Sequence, residues 1–397
     1  MKQVFVSPRP VLRVSLVLAC ALALGGCTTV KGWFDGNDKA KPTEPAKLTD
    51  IVPTVEVSRV WSANVGKGEG RLGVRQGPAV ADGRVFAAAV EGGVQALDLQ
   101  TGASAWSYPS ELKLTGGPGV GDGLVVVGGL DGEVIALDAA TGAERWQAKV
   151  GNEVIAAPAI GMGLVFVRSN DGRLTAFDAA SGERRWFWNR DVPTLSVRGN
   201  AAPLLGPGFV FVGNDDGSVV ALSAVDGRPL WEQAVGPQEG RTELDRMADV
   251  DGRPVIDGST IYATSFKNQT LAIEGPSGRP IWSSSRGGPG RLGLASDRLI
   301  VSAPSGSVFA IDKSGGTALW QQPGLARRSP TAPAVQGEYA VVGDFDGYLH
   351  WLSLADGEFA ARVRAGRDAL RAAPVVADGV LLVQNVDGRL NAYRLGQ

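Results

Sequence analysis

The chain has 397 residues, with 55 glycines, 23 prolines, 44% apolar residues and a formal net charge of −2. That is enough apolar material for a large core, which excludes a disordered chain, and the balanced charge gives no basic footprint for nucleic acid. The two cysteines, Cys20 and Cys27, both lie near the N-terminus and His350 is the only histidine, so a disulfide within the folded body and any site built from several histidines are excluded.

The first element is an address. Lys2, Arg9 and Arg13 form a positive start, followed by an apolar run from Val14 to Leu24 and then Leu24-Gly25-Gly26-Cys27. The run has the length of a signal-peptide core and is too short to span a bilayer. The order of charge, apolar run and small residues before a cysteine resembles the bacterial lipobox, in which that cysteine is lipidated and becomes the first residue. Residues 1–26 are therefore expected to be a signal peptide, and acyl chains on Cys27 to anchor the chain without a transmembrane helix. Removing 1–26 takes the formal charge from −2 to −5. Thr28, where lipoproteins kept in the inner membrane carry Asp, implies the outer membrane. Residues 27–53 read as a lipidated N-terminus and flexible tether, and 54–397 as the folded domain.

That domain is a repeat. Residues 157–186 show the unit: Ala157-Pro158, the run Leu164-Val165-Phe166-Val167, the turn Asp171-Gly172, then Leu174 to Asp178, Ser181-Gly182 and Trp186. The central turn recurs at Gly92-Gly93, Asp131-Gly132, Asp171-Gly172, Asp216-Gly217, Asn268-Gln269, Ser305-Gly306, Asp346-Gly347 and Asp387-Gly388, eight copies spaced by about 40 residues. Each copy holds four short apolar runs split by glycine-bearing turns. Asp-Gly between such runs signals a hairpin, through a type I′ turn that needs positive φ at both central residues. The expected fold is all-β: an eight-bladed β-propeller of four-stranded antiparallel blades.

The last copy stops after its third strand, while Val57 to Gly66 reads as an orphan fourth strand matching Arg145 to Gly151. An N-terminal strand completing the last blade would seal the ring and remove two sheet edges. Trp61, Trp106, Trp146, Trp186, Trp231, Trp282 and Trp320 share the fourth-strand position, which their regular spacing assigns to packing between blades. Ala361 replaces Trp in the seventh copy, so that blade is expected to pack differently.

Ala136 to Trp146 carries, whole, the pattern Ala-x-Asp-x-x-Thr-Gly-x-x-x-Trp, and so resembles the quinoprotein-dehydrogenase-like repeat family. Three more specific stretches, Thr194 to Gly199, Glu243 to Asp251 and Val342 to Trp351, make the chain similar to the BamB family of outer-membrane assembly factors over essentially all of its mature length. The resemblance implies a non-enzymatic lipoprotein on the periplasmic face of the outer membrane. It implies binding to the POTRA domains of BamA beside other subunits of the β-barrel assembly (BAM) complex, with unfolded outer-membrane β-barrels as clients. It places BamA contacts on Leu195, Val197, Arg198, Asp249 and Asp251, Val197 standing where the family often has Leu.

Connector length points to the same region. The regular distance from Trp to the Pro that opens the next blade is 12, as from Trp146 to Pro158, but Trp186 to Pro203 is 17 and Trp231 to Pro254 is 23. The link between blades lies on the same face as the turn between strands two and three, so these two insertions should sit side by side, where binding residues are commonly placed. Trp61 to Pro78 is also 17, so length alone does not single out the pair.

Residues of other chemistries have local explanations. Gly68-x-Gly70-x-x-Gly73 is not followed by a helix. Asp249-x-Asp251-Gly252 and Asp344-x-Asp346-Gly347 lack the later ligands of a Ca²⁺ loop and read as turns, and no nucleophile motif accompanies His350. No cofactor and no metal is expected. The alternatives are a quinone (PQQ)-dependent dehydrogenase, and an envelope propeller that binds peptidoglycan or another ligand.

Overall fold

The computed structural model describes residues 43–396 except 71, 197–200, 237–240, 243, 245 and 246. Cys27, Val197 and Arg198, singled out above, lie outside the described residues. The chain divides into Met1–Pro45 and Ala46–Gln397, and every described strand belongs to the second unit.

The strands form eight antiparallel four-stranded sheets. In chain order the first seven blades are 79–108, 114–149, 159–189, 204–234, 255–284, 293–322 and 334–364. The eighth takes three strands from 375–395 and its outer strand, Val57–Asn64, from the other end of the sequence. The expected closure is therefore present, with Trp61 opposite Ala392.

Why the inner strands read as unbroken apolar runs follows from their burial on both faces. In Leu124–Gly129 every residue is buried, and the alternation of side chains sends successive residues to opposite neighbours. Val125 and Val127 pack in a cluster shared with the first blade, and Leu124 and Val126 in one shared with the third. Eight such clusters bridge the eight pairs of adjacent blades, the last joining Leu382 and Leu390 to Val85 and Leu97. The core is thus a ring of inter-blade seams.

The tryptophans hold those seams. Trp146 is 7% exposed, its indole N–H donates to the Ala179 carbonyl of the next blade at 2.9 Å, and its ring lies over Gly182. The same pair of contacts recurs for all seven, from Trp61 with Leu99 and Gly102 to Trp320 with Leu354 and Gly357. The Thr-Gly turn that receives the ring is built by its Asp: Asp138 Oδ1 accepts from the Thr141 backbone N–H and hydroxyl, both at 2.8 Å. A β-bulge at the residue before each Trp sets the outer strand for this docking, as at Arg145 between Glu144 and Trp146. In the seventh blade the aromatic has moved inward one strand. Trp351, paired with Ala361, donates to Gln336 Oε1 at 2.9 Å and meets Tyr393 of the eighth blade edge-on at 6.2 Å.

One turn assignment is corrected. The Asp-Gly turns between strands two and three are not type I′. Only the glycine has positive φ (Gly172, 81°), and the bonds Gly172 N–H to Ser169 O and Ser169 N–H to Arg173 O define a three-residue loop with a glycine bulge. The type I′ turns join strands one and two instead, as at Asp122-Gly123 with φ of 47° and 74°.

Residues Ala46 and Thr49, in the end of the stretch read as a tether, are hydrogen-bonded to the ring. Arg328 donates to Ala46 O at 3.1 Å and Arg362 to Thr49 O at 2.7 Å. Both arginines belong to a network around buried His350, whose Nε2 lies 3.0 Å from Asp344 and whose Nδ1 accepts from Arg362 at 3.2 Å. Burial holds the His350 pKa below its ordinary value. This histidine is structural.

Gly182 and Gly163 have nearly equal φ, 72° and 73°, but a Cβ on Gly182 would lie 2.6 Å from the Trp146 ring while one on Gly163 meets nothing. Gly163→Ala should cost about 1 kcal/mol from the backbone alone, and Gly182→Ala about 2 kcal/mol more. Urea unfolding measures both; equal losses would mean that the ring is not tightly docked.

Candidate functional site

The two lengthened connectors, 190–203 and 235–254, leave the outer strands Arg184–Asn189 and Pro229–Ala234. Both close on the turn 214–217 of the fourth blade. From the first connector, Arg190 binds Asp216 and clasps Glu232 with two bonds of 2.8 and 2.7 Å. From the second, Val250 N–H donates to Asn214 O at 3.0 Å, and Ala248 fills the space beside Gly217. Asp249 O then accepts from Phe266 of the fifth blade at 2.9 Å. The insertions therefore share one face, where the connector lengths put them.

Three large apolar side chains stand exposed along them, Val192, Leu195 and Leu244, and a fourth, Phe187, on the strand that leads into the first, with Leu195 43% and Leu244 67% accessible. Val192 lies over the turn of the third blade beside Gly172. The guanidinium groups of Arg173 and Arg184 flank the Phe187 ring at 5.0 and 5.7 Å. Phe187 had a legible signal that the sequence reading passed over. The residue after the outer-strand Trp is Ser62, Ser107, Gln147, Glu232, Ser283 or Gln321 in the other blades, and apolar only here.

Asp249 and Asp251 lie beneath the connectors. Asp249 is 0% exposed, and both Asp251 carboxylate oxygens are buried without a hydrogen-bond partner. With Asp215, which sequence reasoning missed, they bring carboxylate oxygens within 4.8 Å of one another. Among the described residues this is the grouping whose spacing would suit a hard cation. Its charge is met in other ways. Burial, reinforced by Asp249 and Asp215, raises the Asp251 pKa to about 8, with Arg75 and Arg168 opposing. Burial also raises Asp215 to about 6, Arg168 opposing and Asp249 adding to the rise. Arg168, itself pulled down to about 10 by burial, donates to Asn214 at 3.1 Å. Within the cluster the Asp251 carboxyl is the one held protonated at neutral pH, and the cluster forms the base on which the connectors rest.

Fold and site together define a class: a closed repeat propeller whose repeat residues are taken up in turns and blade docking, with exposed apolar side chains on and beside two extended connectors. The family model described as "Outer membrane protein assembly factor BamB" matches residues 58–113, 90–322 and 304–395. A relative of that name from Xanthomonas campestris is 61% identical over 397 residues, spanning 97% of this chain and 98% of its own. The crystal structure of BamB from Moraxella catarrhalis superposes with a TM-score of 0.79 at 31% identity, covering 85% of this chain and all of that one. The chain belongs to the BamB family of outer membrane protein assembly factors. A quinohemoprotein alcohol dehydrogenase from Comamonas testosteroni, at 17% identity and a TM-score of 0.67 over 85% of this chain and 76% of its own, shares the fold alone.

A carboxyl whose pKa is raised takes up a proton on folding at any pH between its unfolded and folded values, so its contribution to stability falls as pH rises through that window. For Asp251 the window runs from 3.8 to about 8. Asp251→Asn should therefore be increasingly more stable than the parent as pH rises from 5 to 9, by about 1–3 kcal/mol at the alkaline end. Urea midpoints across that range give the test, and a constant difference would place the proton elsewhere.

Proposed function

We propose that the protein is a non-enzymatic scaffold subunit of the outer-membrane β-barrel assembly machinery, docking on the periplasmic POTRA domains of BamA and assisting insertion of outer-membrane β-barrels. Leu195, Val197 and Arg198 make the contact, and Asp249 and Asp251 set the base of the connectors that carry them. The observation behind this reading is the exposed apolar group on two lengthened connectors over one rigid blade. Apolar anchors rimmed by charged groups such as Arg173, Arg184 and Glu232 are the composition of a protein-docking surface.

Acyl chains on Cys27 hold the ring at the periplasmic face of the outer membrane, beside the other subunits of the complex and within reach of unfolded clients. Strand addition at a free outer edge is a second contact mode for those clients, although the bulge in each outer strand shortens the ladder available to them. The repeat's own polar residues are engaged in turns and blade contacts, which favours a scaffold over a dehydrogenase.

Affinity capture of the lipidated chain should recover BamA. Leu195→Arg should cut that recovery by about tenfold or more. Val225→Arg, at an exposed position in the turn between strands three and four on the opposite face, should leave it unchanged. Equal recovery with both variants would remove the site, and capture of peptidoglycan in place of a barrel subunit would favour the envelope-ligand reading. Separately, Cys27→Ser should move the protein from the membrane to the soluble fraction; continued membrane association would contradict the lipid anchor.

A further inference from the structure

The propeller axis holds a cavity of about 620 Å³, walled by residues at the entry of every blade, from Ala79 in the first to Val375 in the eighth. Most of the wall is glycine, alanine, proline and aliphatic side chains. The charged residues in it are four arginines, Arg75, Arg253, Arg291 and Arg371, and one acid, Asp251. Two of the arginines have carboxylates at hand: Arg371 binds Glu69 at 2.9 Å, and Arg75 acts electrostatically on Asp251.

Arg253 and Arg291 have none. No ion pair or side-chain hydrogen bond engages either among the described residues, and the Arg291 Nε–H is buried without an acceptor. The backbones beside them touch: a Cβ on Gly252 would lie 2.5 Å from the Gly290 carbonyl and 2.7 Å from the Arg291 nitrogen. Adjacent blade entries thus bring the two cations to one cavity wall, and the Arg291 charge acts on Arg253. Both also line a second, more apolar cavity of about 330 Å³, bordered by Leu292 and Val335, so the pair stands where the two chambers adjoin. Arg253 is exposed to solvent and Arg291 half-buried, and neither charge has a counter-charge among the described residues; a guanidinium pair presents the planar donor forks that an oxyanion accepts.

We propose that the axial cavity is a binding site for a small multivalent oxyanion of the phosphate or carboxylate class, chelated between Arg253 and Arg291. The anion would neutralise the pair through its terminal guanidinium nitrogens and lock the entries of the fifth and sixth blades together. The site is separate from the Leu195 surface, so it can fail without affecting the docking reading.

The test is calorimetric titration of the mature full-length chain with inorganic phosphate, sulfate and citrate, each at matched ionic strength against chloride. The site predicts saturable binding of one anion per chain, with citrate against phosphate separating carboxylate from phosphate preference. Arg253→Gln and Arg291→Gln should each weaken binding by about tenfold or more, while Arg279→Gln, at an exposed turn position, should not. Thermal unfolding gives a second readout. Without anion the two glutamine variants should melt at or above the parent temperature, because like-charge repulsion is relieved, and they should lose the anion-induced rise. No saturable binding up to about 10 mM of any of the three anions, or parental binding in both glutamine variants, would overturn the proposal.

Discussion

Everything in this molecule rests on an indole ring laid across a glycine. An isolated four-stranded blade has two apolar faces and cannot bury either by itself. Seven of the outer strands therefore end their blades by reaching onto the next, with the Trp ring over a turn glycine and the indole N–H on a carbonyl of the same turn. Glycine is needed because the ring occupies the place of a Cβ; the Asp that opens the turn is needed because it fixes the loop that presents the glycine. Burying a Trp of this kind is worth about 3–5 kcal/mol, judged by the usual cost of truncation. Seven repetitions give the ring a rigidity no single blade has.

The exception shows the same constraint. With Ala361 at the docking position, the seam between the seventh and eighth blades is closed by Trp351, Gln336 and Tyr393, and Gln336 also donates across it to Gly379 O at 2.9 Å. Beside this altered seam the chain's first described residues are tied down by Arg328 and Arg362. The ring is completed by a strand from the other end of the sequence, so its circularity depends on the N-terminal segment. A scaffold of this kind lets connector length vary locally without disturbing the frame, and two neighbouring connectors have used that freedom to carry Val192, Leu195 and Leu244 outward, beside Phe187 of the preceding strand.

Much of this was legible in the sequence, because repetition makes local periodicity unambiguous. The eight copies, the orphan strand at Val57, the Trp position and its substitution by Ala361 all translate directly into contacts. What was not legible depends on residues from different blades meeting. The Asp-Gly pattern is the same whether one residue or two adopt positive φ, so Asp171-Gly172 was assigned the turn type that belongs to Asp122-Gly123. Nothing local marks Asp215 as a neighbour of Asp251, or reveals that the Asp251 carboxyl is enclosed. Nor does spacing show Arg253 and Arg291 lining one cavity, since that follows from where two blade entries converge on the axis. Phe187 was the readable signal that was passed over, a single apolar residue in a column of polar ones.

The central claim is that a rigid ring offers one face, built on the third and fourth blades, to the assembly machinery. Hydrogen–deuterium exchange of the lipidated chain, with and without the periplasmic domains of BamA, tests it most directly. The account predicts new protection confined to the connectors 190–203 and 235–254 and to the strand carrying Phe187, with the inter-blade seams protected equally in both states. Protection centred on the opposite face, around the turn bearing Val225, or slowed exchange throughout the seams on binding, would contradict it.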